Sequence, residues 1–372
     1  MNLVELFCGG GGFSRGAHDA GMNVVAAFDL DPILSSAYPK NFPDTKFRQR
    51  DVAELSGTEI TEIAGCPIDG VFGGPPCQGF SMIGKRDAAD PRRSLLGEFF
   101  RIVSELQPRF FVMENVQGLA FGDARKVLED AEALVSDQYH ILGPEIFDAA
   151  EFGAPTKRPR IFVIGTRMTD SPPMTREDIT AFRTAPVTVQ QAIADLLGAK
   201  SRDPVDGYDV WKLATSHEPS SYASCCRTTD GTFTGNRVTA HTEKVVERFK
   251  TVPPGKLDPV GHHYKLSWTG QCPTLRAGTG ADKGSFQSVR PIHPSLPRVI
   301  TVREGARLQG FPDRHLFHPT IWHSFRMIGN SVSPPMAKAI FLAISARLQR
   351  HDTQVAGEAD ANDPELQEIA AE

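Results

Sequence analysis

The cysteine at position 77 is the residue of this chain best suited to act as a nucleophile. It lies in the segment Gly-Pro-Pro-Cys-Gln-Gly-Phe-Ser, residues 74–81, directly after an apolar run that predicts a short buried strand. A rigid loop at the carboxyl end of a strand is where open α/β sheets place ligands and reacting groups. A thiolate there is intrinsically nucleophilic. The alternative is a small apolar cysteine packed under a turn, because free cysteines are often buried.

Four consecutive glycines, residues 9–12, follow the first predicted strand. Glycine lets the backbone approach a ligand closely, and the helix expected to begin near Phe13 would offer free N–H groups. This pattern favours a nucleotide-like ligand. Ser14 and Arg15 stand where a dinucleotide fingerprint would have its last glycine, so a nicotinamide or flavin site is the weaker interpretation. The absence of a Gly-x-x-x-x-Gly-Lys sequence argues against a P-loop nucleotidase.

Two acids extend this pattern. Asp29 ends the second predicted strand, where a carboxylate can accept hydrogen bonds from ribose hydroxyls. Asp51 follows the third apolar segment and could contact an adenine amino group. Either acid could instead be an ordinary cap of a turn or helix. Together with the glycines, they favour an adenosyl ligand.

An acid and two arginines follow later strands. Glu114 comes after the apolar run 110–113 and should lie at the same sheet edge as Cys77. Burial would raise its pKa and let it donate a proton, although it could also be a capping acid. Arg158 and Arg160 share one face of an extended segment, where two guanidiniums suit a phosphate or a polar base edge. An exposed arginine pair is otherwise a solvated surface.

Apolar runs alternate with helical patterns in the first half of the chain, which predicts an α/β fold with a parallel, doubly wound sheet. Residues 200–290 lack this alternation and predict a smaller, irregular domain. We place the domains at 1–185, 186–317 and 318–350, the last returning to the first. Strands are predicted at 3–7, 24–29, 69–73, 109–113, 141–147 and 160–166, and helices at 94–106 and 334–348.

Composition sets further limits. Residues 351–372 carry seven acids and no Lys or Arg, which predicts a disordered acidic tail. Removing these seven acids from a chain of net charge −5 leaves +2, so charge neither demands nor forbids DNA. No apolar run approaches the roughly 18 residues of a membrane span, and no secretory signal is visible. The six cysteines form no Cys-x-x-Cys pair, so we expect a reducing, cytoplasmic compartment.

The order of these motifs resembles that of DNA (cytosine-5)-methyltransferases of the bacterial restriction-modification type. The resemblance covers residues 3–170 and 291–345. Glu5 stands where the family usually has Asp, and Thr156 replaces a usual Gln, which puts the hydrogen bonding beside the arginines in question. The matching segments are Phe7–Gly12, Gly74–Ser81, Glu114–Val116, Arg158 with Arg160, Arg298–Pro312 and Gly329–Val332.

The resemblance implies a Rossmann-like methyltransferase domain that uses S-adenosylmethionine, releases S-adenosylhomocysteine and needs no metal, joined to a target-recognition domain. Cys77 would add to C6 of cytosine and Glu114 would hydrogen-bond N3 and the exocyclic amine. Arg160 would hold the base and Arg158 would support the site. The residues implied in cofactor binding are Phe7, Gly9, Gly11, Asp29, Asp51, Pro75, Asn330 and Val332.

A cytosine inside a duplex cannot expose C6 to a thiol, so the base must be flipped out of double-stranded DNA. The segment 81–93 is predicted to close over the DNA as a mobile loop, the alternative being an ordinary surface loop. The target sequence cannot be derived from this chain. The predicted DNA contacts are Ser81, Arg276, Lys283 and Arg290.

Other functions stay open at this point. An RNA methyltransferase on the same scaffold is disfavoured, because the Cys-Phe-Thr tripeptide usual in the tRNA-methylating relatives is not found. A silent DNA-binding regulator is disfavoured by the intact Cys77, Glu114 and Arg160. The chain has no recognisable nuclease motif, so any restriction endonuclease partner would be a separate protein. The single copy of each motif predicts a monomer.

Overall fold

The computed structural model of the protein describes residues 1–76, 94–214, 218–278 and 289–361. Three predicted site residues, Cys77, Ser81 and Lys283, lie outside these ranges. The predicted mobile loop 81–93 and the end of the tail, residues 362–372, lie outside them as well.

Strands and helices alternate through the first half of the chain, as predicted. The strands are β1 (Asn2–Leu6), β2 (Asn23–Asp29), β3 (Lys46–Gln49), β4 (Gly70–Gly73), β5 (Phe110–Asn115), β6 (Tyr139–Asp148), β7 (Thr156–Lys157), β8 (Pro159–Arg167), β9 (Lys200–Val205), β10 (Tyr208–Lys212), β11 (Thr232–Thr234) and β12 (Cys272–Pro273). The helices are α1 (Gly12–Asp19), α2 (Tyr38–Asn41), α3 (Gly57–Ala64), α4 (Ser94–Leu106), α5 (Gly122–Glu132), α6 (Arg176–Thr180), α7 (Val189–Ile193), α8 (Ser221–Cys226), α9 (Glu243–Thr251), α10 (Val302–Gln309), α11 (Ile321–Asn330) and α12 (Pro334–Ala361).

Seven strands form the central sheet, in the order β3-β2-β1-β4-β5-β8-β6. The sheet is mostly parallel, which confirms the predicted Rossmann-like α/β fold, and β8 is the strand that departs from the parallel arrangement. This strand runs antiparallel to both of its neighbours, β5 and β6. The reason is the short link between β6 and β8, residues 149–158, because a parallel return needs a crossover of about a dozen residues or more.

Both faces of the central sheet are covered. In β5, Phe110 and Val112 belong to the hydrophobic cluster that includes α12, whereas Phe111 and Met113 belong to the cluster on the opposite face, which includes α4. A strand buried on both faces is read in the sequence as a continuous apolar run. The carboxyl end of β5 therefore carries the first polar residue of the run, Glu114, to the sheet edge.

The second part of the chain is built around the three-stranded antiparallel sheet β9-β10-β11. A third hydrophobic cluster joins this part to α10 and α11, and it includes Phe233, Leu266, Leu308 and Met327. Helices late in the chain thus share a core with the irregular region. The predicted boundaries of the smaller domain, 186–317, stay a prediction.

The last helix differs from the sequence prediction. It was expected over 334–348, but α12 continues to Ala361, so the prediction of disorder is wrong for residues 351–361. The helix starts against α1, where Gly16 is so close to Ala337 that a Cβ atom would overlap it. Once nucleated by this packing, a helix extends by one hydrogen bond per added residue through residues 351–361, three of which are alanine. Within the described ranges, no helix, α12 included, is long and apolar enough to cross a membrane.

Candidate active site

The glycine loop after β1 is an open cradle at the carboxyl edge of the sheet. Phe7, Gly9 and Gly11 all have positive φ angles, of 58°, 47° and 76°. A Cβ atom on Gly9 would have no other heavy atom within 4 Å, so this position faces open space. The loop can therefore bring its backbone against a ligand, and α1 begins directly behind it at Gly12.

Asp29 holds this loop in place. Its carboxylate accepts hydrogen bonds from the backbone N–H of Gly9 at 2.7 Å and from that of Asp31 at 2.8 Å. Burial raises the pKa of Asp29 to about 6, and these two hydrogen bonds oppose the shift. The contact with ribose predicted for Asp29 stays a prediction. Asp51 acts as a cap here, since its Oδ1 accepts from the N–H of Ala53 at 3.0 Å.

Sequence reasoning missed Leu30 and did not predict the burial of Glu5, two residues near the loop. Leu30 follows β2 and is 59% exposed, although it is large and apolar. Its position between two acids at a strand end was the available signal. Glu5 is buried beneath the loop and bonds the hydroxyls of Ser14 and Tyr38, and burial raises its pKa to about 8. This network satisfies the buried carboxyl of Glu5 with two hydroxyl partners.

The segment after α11 packs directly on the glycine loop. A Cβ atom on Gly10 would lie 3.1 Å from Oγ of Ser331, and one on Gly12 would overlap the carbonyl of Val332. Asn330 is exposed and Val332 is buried. The structure thus brings the predicted cofactor residues at both ends of the chain to one place.

The segment leading to Cys77 meets the end of β5. The side-chain amide of Asn115 donates to the carbonyl of Pro75 at 3.0 Å. A Cβ atom on Gly74 would lie 2.9 Å from Oε2 of Glu114, so only glycine allows this approach. The predicted neighbourhood of this segment and Glu114 is therefore present up to residue 76, and Cys77 itself lies outside the described residues.

Glu114 and Arg160 form the central ion pair of the site. Nε of Arg160 lies 2.9 Å from Oε1 of Glu114, and their side chains are 13% and 9% exposed, respectively. Burial raises the pKa of Glu114, and the positive charges of Arg160 and Arg158 oppose the rise. The pair thus places a carboxyl of raised proton affinity beside a fixed guanidinium.

Arg158 does not join Arg160 at one surface, so the prediction of two guanidiniums directed at the same edge is wrong. Its side chain is fully buried and donates to the carbonyls of Leu275 at 3.1 Å and Gly329 at 2.7 Å. Arg158 precedes the first residue of β8, Pro159, so the strand alternation assumed for the pair does not hold. The Thr156 hydroxyl donates to the carbonyl of Cys272 at 3.2 Å, which supplies local bonding where Gln is usual.

The two described residues among the predicted DNA contacts, Arg276 and Arg290, lie beside α11. Arg276 is exposed. Arg290 is half-buried, with its guanidinium carbon 5.2 Å from the centre of the Phe325 ring, and it donates to the Thr239 hydroxyl at 2.9 Å. Their binding to DNA stays a prediction.

A glycine cradle and a buried carboxyl–guanidinium pair on a mostly parallel sheet agree with the Rossmann-like methyltransferase fold of the similar solved structures. A family model described as C-5 cytosine-specific DNA methylase matches residues 1–346. The chain belongs to this family and is a DNA (cytosine-5)-methyltransferase.

Individual relatives agree with this family. The type II methyltransferase M.XorII of Xanthomonas oryzae pv. oryzae is 42% identical over 356 aligned positions, covering 91% of this chain and 82% of the relative. M.DdeI of Desulfomicrobium norvegicum is 31% identical over 386 positions, covering 93% and 88%. These similarities support a DNA methyltransferase of the restriction-modification type.

Solved structures share the fold. A prophage-encoded E. coli protein, described as a DNA modification methyltransferase, superposes with a TM-score of 0.81 at 35% identity. The superposition covers 94% of this chain and 99% of that one. The S. pombe Dnmt2 methyltransferase reaches 0.62 at 17% identity, covering 94% and 99%, which is a likeness of fold alone.

Proposed function

We propose that the protein methylates C5 of one cytosine within a specific sequence of double-stranded DNA, after that base has been flipped out of the duplex. The thiolate of Cys77 would add to C6 of the cytosine, and C5 would then take the methyl group of S-adenosylmethionine, which leaves as S-adenosylhomocysteine. Loss of the C5 proton would break the C6–S bond and release Cys77 and 5-methylcytosine. The observation that carries this proposal is the Glu114–Arg160 ion pair beside Pro75, two residues before Cys77.

A protonated Glu114 side chain is complementary to the hydrogen-bonding edge of cytosine. N3 of cytosine is a hydrogen-bond acceptor and the exocyclic amine is a donor. A carboxyl whose pKa is raised by burial can donate a proton to N3 from one oxygen and accept from the amine at the other. Protonation or strong hydrogen bonding at N3 stabilises the charge that develops when a thiolate adds to C6. Arg160 would keep the Glu114 side chain in this orientation.

The residues around the glycine loop fit an adenosyl ligand. The open position at Gly9 allows close approach of the ligand to the backbone, and the buried carboxylate of Asp29, which holds this loop, would accept a further hydrogen bond from a ribose hydroxyl. The exposed Leu30 side chain offers an apolar surface for adenine, with Asp51 near its amino group. Phe7, Gly11, Pro75, Asn330 and Val332 would complete the pocket. When bound, S-adenosylmethionine supplies an electrophilic methyl group.

Recognition of DNA would fall to the second part of the chain. Arg276, Arg290 and Lys283 would contact bases or phosphates, and their positive charges would be attracted to the DNA backbone. Ser81, in the first part of the chain, would contact the DNA through its neutral hydroxyl. We infer that the protein acts as a monomer and that any cognate restriction endonuclease is a separate protein.

Methyl transfer tests this proposal directly. The protein is incubated with labelled S-adenosylmethionine and either unmethylated genomic DNA or bulk tRNA, and the product is mapped at base resolution. We expect label at C5 of cytosine in one short DNA sequence. Label confined to tRNA, or a Cys77→Ala protein that still methylates DNA, would contradict the proposal.

The role of Glu114 is tested by a matched pair of variants. Glu114→Gln should lower the methyl-transfer rate about 10²–10⁴-fold, because an amide cannot supply a proton to N3. Glu132→Gln is the control, since burial also raises the pKa of Glu132, to about 7, yet this acid lies in α5, away from the ion pair. Equal methyl-transfer rates for the two variants would show that Glu114 takes no part in the reaction.

A further inference from the structure

A cavity of about 310 Å³ lies between α11 and the chain segments that flank residues 279–288. Neither Glu114 nor Arg160 lines it among the described residues, so it is separate from the proposed site for the target cytosine. Its walls combine three large apolar side chains with two guanidiniums and a hydroxyl: Ile321, Trp322, Phe325, Arg276, Arg290 and Thr239.

Close packing holds the walls of this cavity in place. Arg158 bonds the carbonyls of both Leu275 and Gly329, which fixes the segment before Arg276 against the end of α11. A Cβ atom on Gly329 would overlap the backbone of Ala277, so the two segments touch directly. The cavity wall is therefore connected through Arg158 to the strand that carries Arg160.

Arg290 is oriented for recognition before any ligand arrives. Its guanidinium lies over the Phe325 ring, and its bond to Thr239 restricts rotation about that stack. Phe325 is itself buried against α10, where a Cβ atom on Gly305 would lie 2.9 Å from the ring. A planar guanidinium fixed in this way can donate two parallel hydrogen bonds, whereas a lysine could present only a point charge.

The chemistry of the walls favours one class of ligand. Trp322 can stack on a flat ring, Phe325 and Ile321 add apolar surface, and the arginines donate hydrogen bonds without accepting any. The matching ligand has a planar face, an acceptor-rich edge and a nearby negative charge. A nucleotide unit has all three, and guanine offers the O6 and N7 acceptors that arginine binds in bidentate fashion. A phosphate alone would leave the apolar walls uncovered.

We propose that this cavity receives a second base of the DNA site, guanine being the best fit, which leaves the base stack while the target cytosine is in the catalytic site. This inference rests on the proposed function, because it assumes that DNA is the macromolecule bound. Part of the sequence specificity would then depend on how readily one particular base leaves the base stack.

Binding measurements can test the cavity without methyl transfer. The DNA site is first defined by selecting bound duplexes from a random pool. Duplexes with one abasic position each are then titrated by fluorescence anisotropy with the wild-type protein, Trp322→Leu and Arg290→Lys. At one position, loss of the base should weaken wild-type binding about tenfold, the order expected for base–aromatic stacking, and should scarcely affect the variants.

A second set of duplexes separates an extruded base from one read in the groove. In these duplexes the base that pairs with the critical base is removed. The critical base can then leave the stack without breaking a base pair, so the wild-type protein should bind more tightly. Trp322→Leu should lose this gain. Trp211→Leu is the matched control, since Trp211 is also half-buried but lies in β10 and donates to Asp209. Thermal unfolding verifies that each variant is folded.

Three results would overturn the inference. The first is an equal loss of affinity for every duplex, which would indicate a backbone contact, and the second is unchanged affinity in both cavity variants. The third is saturable binding of guanosine monophosphate that Trp322→Leu abolishes without altering DNA affinity, which would mean a free nucleotide is the ligand. A protein that shows the expected coupling but transfers no methyl group would contradict only the proposed function.

Discussion

Nε2 of His315 lies 2.9 Å from the carbonyl oxygen of Gly10, although 305 residues separate them in the chain. Burial lowers the pKa of His315 well below its usual value, so the ring is neutral and donates from Nε2. Asn41 reinforces the contact, because its side chain bonds both the N–H and the carbonyl of Leu316 at 2.8 Å. The segment after α10 therefore supports the glycine loop directly.

Replacing His315 by Phe should destabilise the glycine loop. The ring would still pack against Phe311 and Phe317, but the Gly10 carbonyl would lose its buried donor. An unsatisfied buried acceptor costs about 1–3 kcal/mol, so the free energy of unfolding should fall by that amount. S-adenosylmethionine affinity, measured by calorimetry, should fall as well. His140→Phe, in β6, is the control, and an equal effect there would refute the role of His315.

Substitutions of Arg158 and Arg160 should have different effects on stability and on methyl transfer. Arg158→Met leaves two buried carbonyls without donors, so the free energy of unfolding should fall by about 3 kcal/mol. Arg160→Met should change stability less and should lower methyl transfer strongly, because it removes the partner of Glu114. Chemical denaturation and initial rates distinguish the two. The assignment would be wrong if Arg158→Met were as stable as the wild type and as slow as Arg160→Met.

The buried Glu5 predicts a pH-dependent stability. Its pKa is raised from 4.5 to about 8, so between these values the folded protein retains a proton that the unfolded chain releases. The stabilisation that the protonated Glu5 contributes to the folded state is fully present below about pH 4.5 and is lost as the pH rises toward 8. Asp29, with a pKa of about 6, contributes in the same direction at lower pH.

Glu5→Gln should therefore flatten the fall in melting temperature, above all between about pH 6 and pH 8. The amide keeps the size of the side chain and its bonding to Ser14 and Tyr38, but it does not titrate. Glu5→Asp retains a carboxyl and should keep the pH dependence. A melting profile of Glu5→Gln that parallels that of the wild type would show that another group titrates in this range.

Alanine substitutions at Gly9 and Gly21 distinguish the effect of ligand contact from the effect of backbone strain. Both have positive φ angles, 47° and 79°, and a Cβ atom on either would meet no atom within 4 Å. Alanine at each position should thus cost about 1–2 kcal/mol of stability. Only Gly9→Ala should weaken S-adenosylmethionine binding, by tenfold or more in calorimetry, because its methyl group would enter the proposed ligand space. Equal binding by both variants would place the ligand elsewhere.

Much of the catalytic framework was determined by the sequence itself. Strands buried on both faces appear as unbroken apolar runs, so the predicted strand 109–113 corresponds to the observed Phe110–Asn115. Because the ends of such strands meet at one edge, Glu114 was predicted at the sheet edge of Cys77, and the segment before Cys77 does meet the end of β5 through the Asn115–Pro75 hydrogen bond. The short edge strand Lys46–Gln49 was missed, since its side chains are mostly exposed and polar.

Only the tertiary structure decided where side chains from distant segments meet. Local spacing placed Arg158 beside Arg160, but packing against Leu275 and Gly329 took Arg158 into the interior. The contact of His315 with Gly10 has no local signature for the same reason. Periodicity reports which face of an element is apolar, whereas the partner of a buried polar group depends on how separate elements pack, and that is set by the whole chain at once.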